Sequence, residues 1–144
     1  MSRVDAEILV VGAGPSGAWT ARRLAEAGRD VILADENEGP RTDVVCTGIV
    51  GTEAFGRLPL PTSAVTDQVR RAFFFSPGGR AVPYEPSRPL ARVVDRTRFD
   101  AALAEEARAA GTLVLRGHAA REVRKASHGV EVRCRTAGGE RTLR

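Results

Sequence analysis

Ile8-Leu9-Val10-Val11-Gly12-Ala13-Gly14-Pro15-Ser16-Gly17 decides the fold, together with Val31-Ile32-Leu33-Ala34-Asp35 further on. The stretch Ala6–Val11 ends in an apolar run stopped by glycine, which predicts a buried parallel strand. Gly12–Gly17 is a complete GxGxxG turn. Trp19, Leu24 and four alanines then alternate with Arg22, Arg23 and Glu26, and Gly28 follows as a C-terminal stop, so the spacing predicts a helix. Val31–Ala34 predicts a second buried strand, ending at Asp35. Strand, glycine turn, helix and strand make one βαβ unit, whose crossover is right-handed in nearly all cases.

In that setting each glycine has a physical task. Gly12 permits a sharp turn, Gly14 lets a pyrophosphate approach the backbone, and Gly17 lets the helix pack closely. The helix N-terminus presents N–H groups and a partial positive charge to an anion. Asp35 lies 18 residues after Gly17, where a carboxylate accepts hydrogen bonds from an adenosine ribose. Glu36 takes that place if the strand runs one residue longer. An acid there, rather than an arginine, argues against a 2′-phosphate. The expected cofactor-binding residues of the turn are therefore Gly12, Ala13, Gly14, Pro15, Ser16 and Gly17.

The rest of the chain is less regular. Glu36–Thr47 reads as a polar loop, and Ile49–Leu58 as a short helix stopped by Pro59 and Pro61. Val69–Ser76 and Ala81–Tyr84 flank Pro77-Gly78-Gly79-Arg80 as a hairpin, with Pro83 confining its second strand to an edge. Phe73-Phe74-Phe75 within it reads as core more often than as the lining of a lipid-like pocket on alternate faces of the strand. Asp95 or Thr97 caps a second helix bearing Phe99, Leu103 and Ala107 on one face, and Gly111 ends it. Thr112–Leu115 is a third apolar strand. His118–Lys125, Val130–Thr136 and Glu140–Leu143 form an antiparallel meander. The expected fold is α/β: a Rossmann-like βαβ dinucleotide-binding domain with a parallel sheet and a small antiparallel β-meander.

Composition narrows the function. The 144 residues are 42% hydrophobic and 28% charged, which suits one ordinary globular domain. The 21 arginines and single lysine exceed the 18 acids, for a net charge of +4. They are scattered along the chain, whereas a nucleic-acid binder gathers its cations on one face. No nucleic acid is expected as a partner. The longest apolar run, Ile8–Val11, is far below the ~20 residues that cross a bilayer; membrane association is left open but not indicated. Met1–Glu7 carry two acids ahead of any apolar stretch, so no leader is read and the cytoplasm is the expected compartment. Cys46 and Cys134 make neither a disulfide framework nor a metal set. His118 and His128 lack partners at catalytic spacing and are expected to be exposed. Trp19 is read as packing. Leu143-Arg144 closes in or just after a strand, which reads as the front of a larger protein.

Beyond these readings, Gly12 to Asp35 resembles the FAD-binding start of the flavoprotein monooxygenase and geranylgeranyl-reductase superfamily. Cys46-Thr47-Gly48-Ile49 resembles the Cys-x-Gly loop of the geranylgeranyl-reductase branch, and Phe75-Ser76-Pro77-Gly78-Gly79-Arg80 resembles its Ser-Pro-x-Gly hairpin. Val94-Asp95-Arg96-Thr97-Arg98-Phe99-Asp100-Ala101-Ala102-Leu103 is similar to the V-x-R-x-x-F-D-x-x-L segment of the family. The resemblance implies that residues 1–144 are the N-terminal FAD-binding portion of an FAD-dependent oxidoreductase. It implies that Arg96 serves the ribityl–pyrophosphate region, that the Cys46–Gly48 loop lies near the flavin, and that the backbone at Ala120 faces the adenine. It further implies an isoprenoid substrate or, in sister branches, an aromatic one; the electron donor is not fixed by the sequence, NAD(P)H being one candidate. No metal is expected. The family's later Gly-Asp strand and substrate domain have no counterpart here, so the catalytic residues and oligomeric state are not assigned, and this chain is expected to be inactive alone. A non-catalytic nucleotide-binding module, an aromatic monooxygenase or halogenase, and an NAD-dependent dehydrogenase are the competing readings.

Overall fold

Every residue of Val31–Ala34 is buried, as required of a strand with a parallel neighbour on each side. The computed structural model describes residues 5–127 and 129–144. In chain order the elements are β1 (Ile8–Val11), α1 (Pro15–Glu26), β2 (Val31–Ala34), β3 (Ile49–Gly51), α2 (Thr52–Arg57), a 3-10 turn at Thr62–Ala64, β4 (Val65–Val69), β5 (Ala72–Phe75), β6 (Ala81–Tyr84), β7 (Ala91–Val94), α3 (Arg96–Ala109), β8 (Leu113–Leu115), β9 (Ala119–Ala126), β10 (Gly129–Thr136) and β11 (Gly139–Leu143). They divide into two compact units, residues 1–42 with 100–144, and residues 43–99.

The first unit holds a parallel sheet of order β1-β2-β8 and an antiparallel sheet of order β11-β10-β9. Ile8 pairs with Val31, and Ile32 with Leu113. Successive side chains of a strand point to opposite faces. Ile32 and Ala34 accordingly join Val132, Cys134 and Leu143 in one buried cluster against the meander, flanked by Leu9, Leu115 and Ala120. Val31 and Leu33 face the other way and are equally buried. Helix α1 packs on β1 and β2, with Ala18 and Ala21 fully buried. Alanine at these positions lets helix and sheet approach closely. The Thr112 hydroxyl donates to the Ala21 carbonyl at 3.2 Å, and Arg22 on α1 pairs with Glu106 on α3 at 2.6 Å.

Both long helices end in the same way. Gly28 and Gly111 have φ of +78° and +105°, a conformation that only glycine adopts without cost. Their N–H groups bond to Ala25 and Arg108, and the next residues, Arg29 and Thr112, reach back to Leu24 and Ala107. These are two Schellman closures. At the start of α3 the cap is Asp95, whose carboxylate accepts from the Arg98 N–H at 3.1 Å; Thr97 lies inside the helix. Phe99, Leu103 and Ala107 are buried, as their spacing predicts.

The second unit departs further from the sequence reading. Ile49–Gly51 is a strand rather than the start of a helix, because β7 offers it an antiparallel partner, Ile49 opposite Val93. Only Thr52–Arg57 is helical. The sheet order is β3-β7-β4. Strand β5 pairs only with β6, and Phe73, Phe74 and Phe75 are 52%, 61% and 71% exposed. Among the described residues the run is therefore not core, since the two-stranded sheet has no third element covering it.

Candidate functional site

The first unit brings the GxGxxG turn, the end of β2 and the residue after β8 to one place. Gly12 has φ +97°, and its N–H bonds to the Ala34 carbonyl at 2.7 Å, tying the turn to β2. Gly14 is the N-cap of α1, with φ −72° and ψ 179°, and no side chain caps the helix. Pro15 has no N–H to offer, and Ala18 N–H already bonds to Gly14. The first-turn donors directed outward are thus Ser16 and Gly17. The first turn contains no acid, so nothing there opposes an incoming anion.

The glycines do different work. A Cβ on Gly14 would meet nothing within 4 Å. A Cβ on Gly17 would lie 1.8 Å from the Gly12 carbonyl oxygen and 3.6 Å from Val10 Cγ1. Gly17 therefore lets the helix close on the turn itself more than on the strand, and Gly14 keeps clear the space ahead of the helix. That clear space, faced by backbone N–H groups, suits the pyrophosphate of a dinucleotide.

Asp35 is the acid at the end of β2, and it is buried, whereas Glu36 is exposed. Its carboxylate accepts the Ala13 N–H at 2.6 Å on Oδ2, and the Asn37 N–H and side-chain amide, both at 2.9 Å, on Oδ1. Arg116 lies 3.6 Å from Oδ1. Burial pushes the Asp35 carboxyl up, but the hydrogen bonds from Ala13 and Asn37 and the nearby Arg116 charge together outweigh it and hold the group below its usual range. The Ala13 N–H thus joins the turn to Asp35.

Acid should therefore loosen this turn. A carboxyl lowered by folding contributes stability above its unfolded pKa of ~3.9, and loses it as pH falls through the lower folded value. Asp35→Asn is expected to flatten the stability-versus-pH curve on the acid side. Unfolding titrations at stepped pH check this; parallel curves for the two proteins would contradict it.

Arg116 and Arg41 are the residues that sequence reasoning missed. Both line the cleft with Ala13, Gly14, Asp35, Pro40, Asp100 and Ala101. Arg116 directly follows β8, and only the parallel pairing of β8 with β2 carries it to Asp35. Knowing that β8 lies next to β2 would have been the signal. His118 is half-buried, not exposed as expected: its Nδ1 is 2.7 Å from the Arg116 carbonyl and its Nε2 3.3 Å from Arg141. His128 lies outside the described residues.

The second unit holds the Cys46–Gly48 loop and Arg96, whereas Ala120, Trp19 and Cys134 belong to the first. Gly48 has φ +68°, and a Cβ there would lie 2.3 Å from the Val94 carbonyl oxygen. The Val94 N–H bonds to Gly48 at 2.9 Å. The Cys46–Gly48 loop is thus pressed against the residue two before Arg96, which opens α3 half-buried. Cys46 is exposed, and its sulfur accepts from the Gly48 N–H at 3.5 Å. Ala120 lies on the edge strand β9, half-buried. Trp19 sits under the Arg22 guanidinium, 5.4 Å from its centroid. Cys134 is buried, which pushes its thiol up. Among the described residues no cluster of His, Cys, Asp and Glu could hold a metal ion, and no helix is long and apolar enough to cross a membrane.

Comparison with known proteins agrees with this geometry. Residues 7–80 match the family model described as FAD dependent oxidoreductase. The chain is 34% identical over 113 residues to a digeranylgeranylglycerophospholipid reductase from Methanoculleus marisnigri, covering 76% of this chain and 28% of that protein. A reductase of the same name from Methanosphaerula palustris is 32% identical over 116 residues, covering 78% and 29%. Among solved structures, a geranylgeranyl bacteriochlorophyll reductase-like protein from Thermoplasma acidophilum shares the fold, with a TM-score of 0.85 at 23% identity over 96% of this chain and 37% of that one. CabE, an aromatic hydroxylase from angucycline biosynthesis, superposes with a TM-score of 0.74 at 26% identity, over 96% and 29%. The chain spans less than a third of the length of these two curated relatives. With the family model covering residues 7–80, more than half of the sequence, the chain belongs to the FAD dependent oxidoreductase family.

Proposed function

We propose that residues 1–144 bind the ADP half of FAD, as the N-terminal FAD-binding portion of a geranylgeranyl-reductase-like oxidoreductase. The observation that carries this is the clear space at Gly14, bounded by the N-terminus of α1 and by Asp35. Gly12, Gly14, Pro15, Ser16 and Gly17 shape the seat of the pyrophosphate. A carboxylate has about four acceptor positions, and three of those on Asp35 are filled by Ala13 and Asn37. One remains for a ribose hydroxyl. Ala13 supports the site through Asp35, Arg96 and the Cys46–Gly48 loop serve the flavin side, and the backbone at Ala120 serves the adenine.

When bound, the flavin supplies the redox chemistry, and the protein supplies binding, orientation and electrostatics. Reduction of isoprenoid double bonds is the reaction class that the 34% and 32% identical reductases support, with NAD(P)H as one candidate donor. Aromatic hydroxylation is the second reading, supported by the likeness to CabE.

Titration of the purified chain with FAD, ADP and NADH tests the binding assignment. FAD and ADP are expected to bind, and NADH more weakly. Asp35→Ala is expected to weaken ADP binding by ~1–3 kcal/mol, the range for hydrogen bonds to a charged group. Glu36→Ala should leave it unchanged. Preference for NADH over FAD would point to a nicotinamide dehydrogenase. Product analysis with a polyprenyl lipid and with a phenol separates the two reaction classes.

A further inference from the structure

Beyond the ends of β2 and β8 the two segments stay laced together. The Asp35 N–H bonds to the Leu115 carbonyl at 2.9 Å, the His118 N–H to the Asp35 carbonyl at 2.7 Å, and the Gly117 N–H to the Asn37 carbonyl at 3.1 Å. The parallel pairing of β2 with β8 thus continues past both strands. Gly117, at φ +66°, makes the turn, a conformation that glycine adopts without cost. The Arg116 carbonyl lies 2.7 Å from His118 Nδ1. The protein's own hydrogen bonds therefore fix the backbone of Arg116 beside Asp35.

The side chains held in this frame are complementary. On Asp35, Oδ1 accepts both Asn37 donors and Oδ2 accepts the Ala13 N–H, so the acceptor position that remains is on Oδ2. The Arg116 guanidinium stands 3.6 Å from Oδ1, beyond hydrogen-bond range. That contact is one of charge, and it spends none of the N–H donors. Both residues line the cleft at Gly14, and their side chains are only 23% and 10% exposed, so a hydrogen bond made there meets little competition from water. An ionised carboxylate only accepts and a guanidinium only donates, whereas a hydroxyl does both through one oxygen. An acceptor and a donor side by side therefore match the two sides of a ribose hydroxyl. A phosphate dianion has no proton for Asp35, and a hydrogen in place of the hydroxyl satisfies neither partner.

We infer that Arg116 is a specificity-determining residue: with Asp35 it reads one ribose hydroxyl of the adenosine, donating to the oxygen whose proton Asp35 accepts. The inference rests on the assignment of the ADP half to this site. Calorimetric titration of the full chain with ADP, 2′-deoxy-ADP and 3′-deoxy-ADP tests it. One deoxy analogue is expected to bind about 30-fold more weakly than ADP, since it leaves two mostly buried charged groups without their partner. Arg116→Met should weaken ADP binding about tenfold and leave that analogue nearly unchanged, so that discrimination shrinks to about threefold. Arg116→Lys keeps the charge beside Asp35 but not the fork, and should shift discrimination in the same direction. A thermal melt of each variant separates loss of fold from loss of discrimination. A wild-type chain that binds no ADP would overturn the cofactor assignment and this inference with it. Binding of ADP and both deoxy analogues with equal affinity would overturn this inference alone. So would variants that weaken ADP and the analogues by the same factor, because the arginine would then serve a phosphate or the fold.

Discussion

Gly14→Val is expected to abolish FAD and ADP binding while the protein stays folded. The backbone at Gly14, with φ −72° and ψ 179°, is one that valine adopts readily. A Cβ there meets no protein atom within 4 Å, so the branch point of the new side chain has open space. Glycine is itself only a moderate N-cap, so the loss at the helix terminus is about 1 kcal/mol. The valine methyls would instead occupy the space that the phosphates need, next to the N–H groups of Ser16 and Gly17. The dissociation constant for ADP should rise at least about 100-fold, a loss of ~2.7 kcal/mol. Calorimetric titration beside a thermal melt checks both halves. Retained affinity would reduce the turn to a structural role.

Gly17→Ala is expected to do the reverse and damage the fold. In an open helical position this change stabilises by up to ~1 kcal/mol. Here the new Cβ would sit 1.8 Å from the Gly12 carbonyl oxygen and 3.1 Å from its carbonyl carbon. Neither atom can move cheaply: Gly12 is held at φ +97° and bonded to Ala34. Overpacking of this kind costs ~1–3 kcal/mol or more, which overturns the propensity gain. The melting temperature should fall by about 10 °C, with or without ligand. A melt as stable as that of the unmodified chain would show that the turn yields. Two glycines three residues apart should therefore fail differently, one in binding and the other in stability.

Much of the first unit was legible because its signals are local. Alternation and runs of apolar residues mark β1, β2 and β8, and glycine closes α1 and α3 where their periodic patterns stop. Asp35 was identifiable from its distance to the turn. The second unit was less so. Ile49–Gly51 has no pattern of its own to separate strand from helix, and pairing with β7 decided it. Val65–Val69 and Ala91–Val94 escaped notice because short strands draw their stability from cross-strand partners. Three consecutive phenylalanines could not announce their exposure, because burial belongs to whatever packs against them.

The sequence by itself determined the βαβ turn and the uncapped helix N-terminus it opens, because glycine spacing and helix polarity act over a few residues. The tertiary structure alone decided what surrounds Asp35. Arg116 is 81 positions away in the chain, and only the β2–β8 pairing brings its guanidinium to 3.6 Å from the carboxylate. The local chain sets conformation, whereas the electrostatics of a buried acid are set by whichever strands become its neighbours.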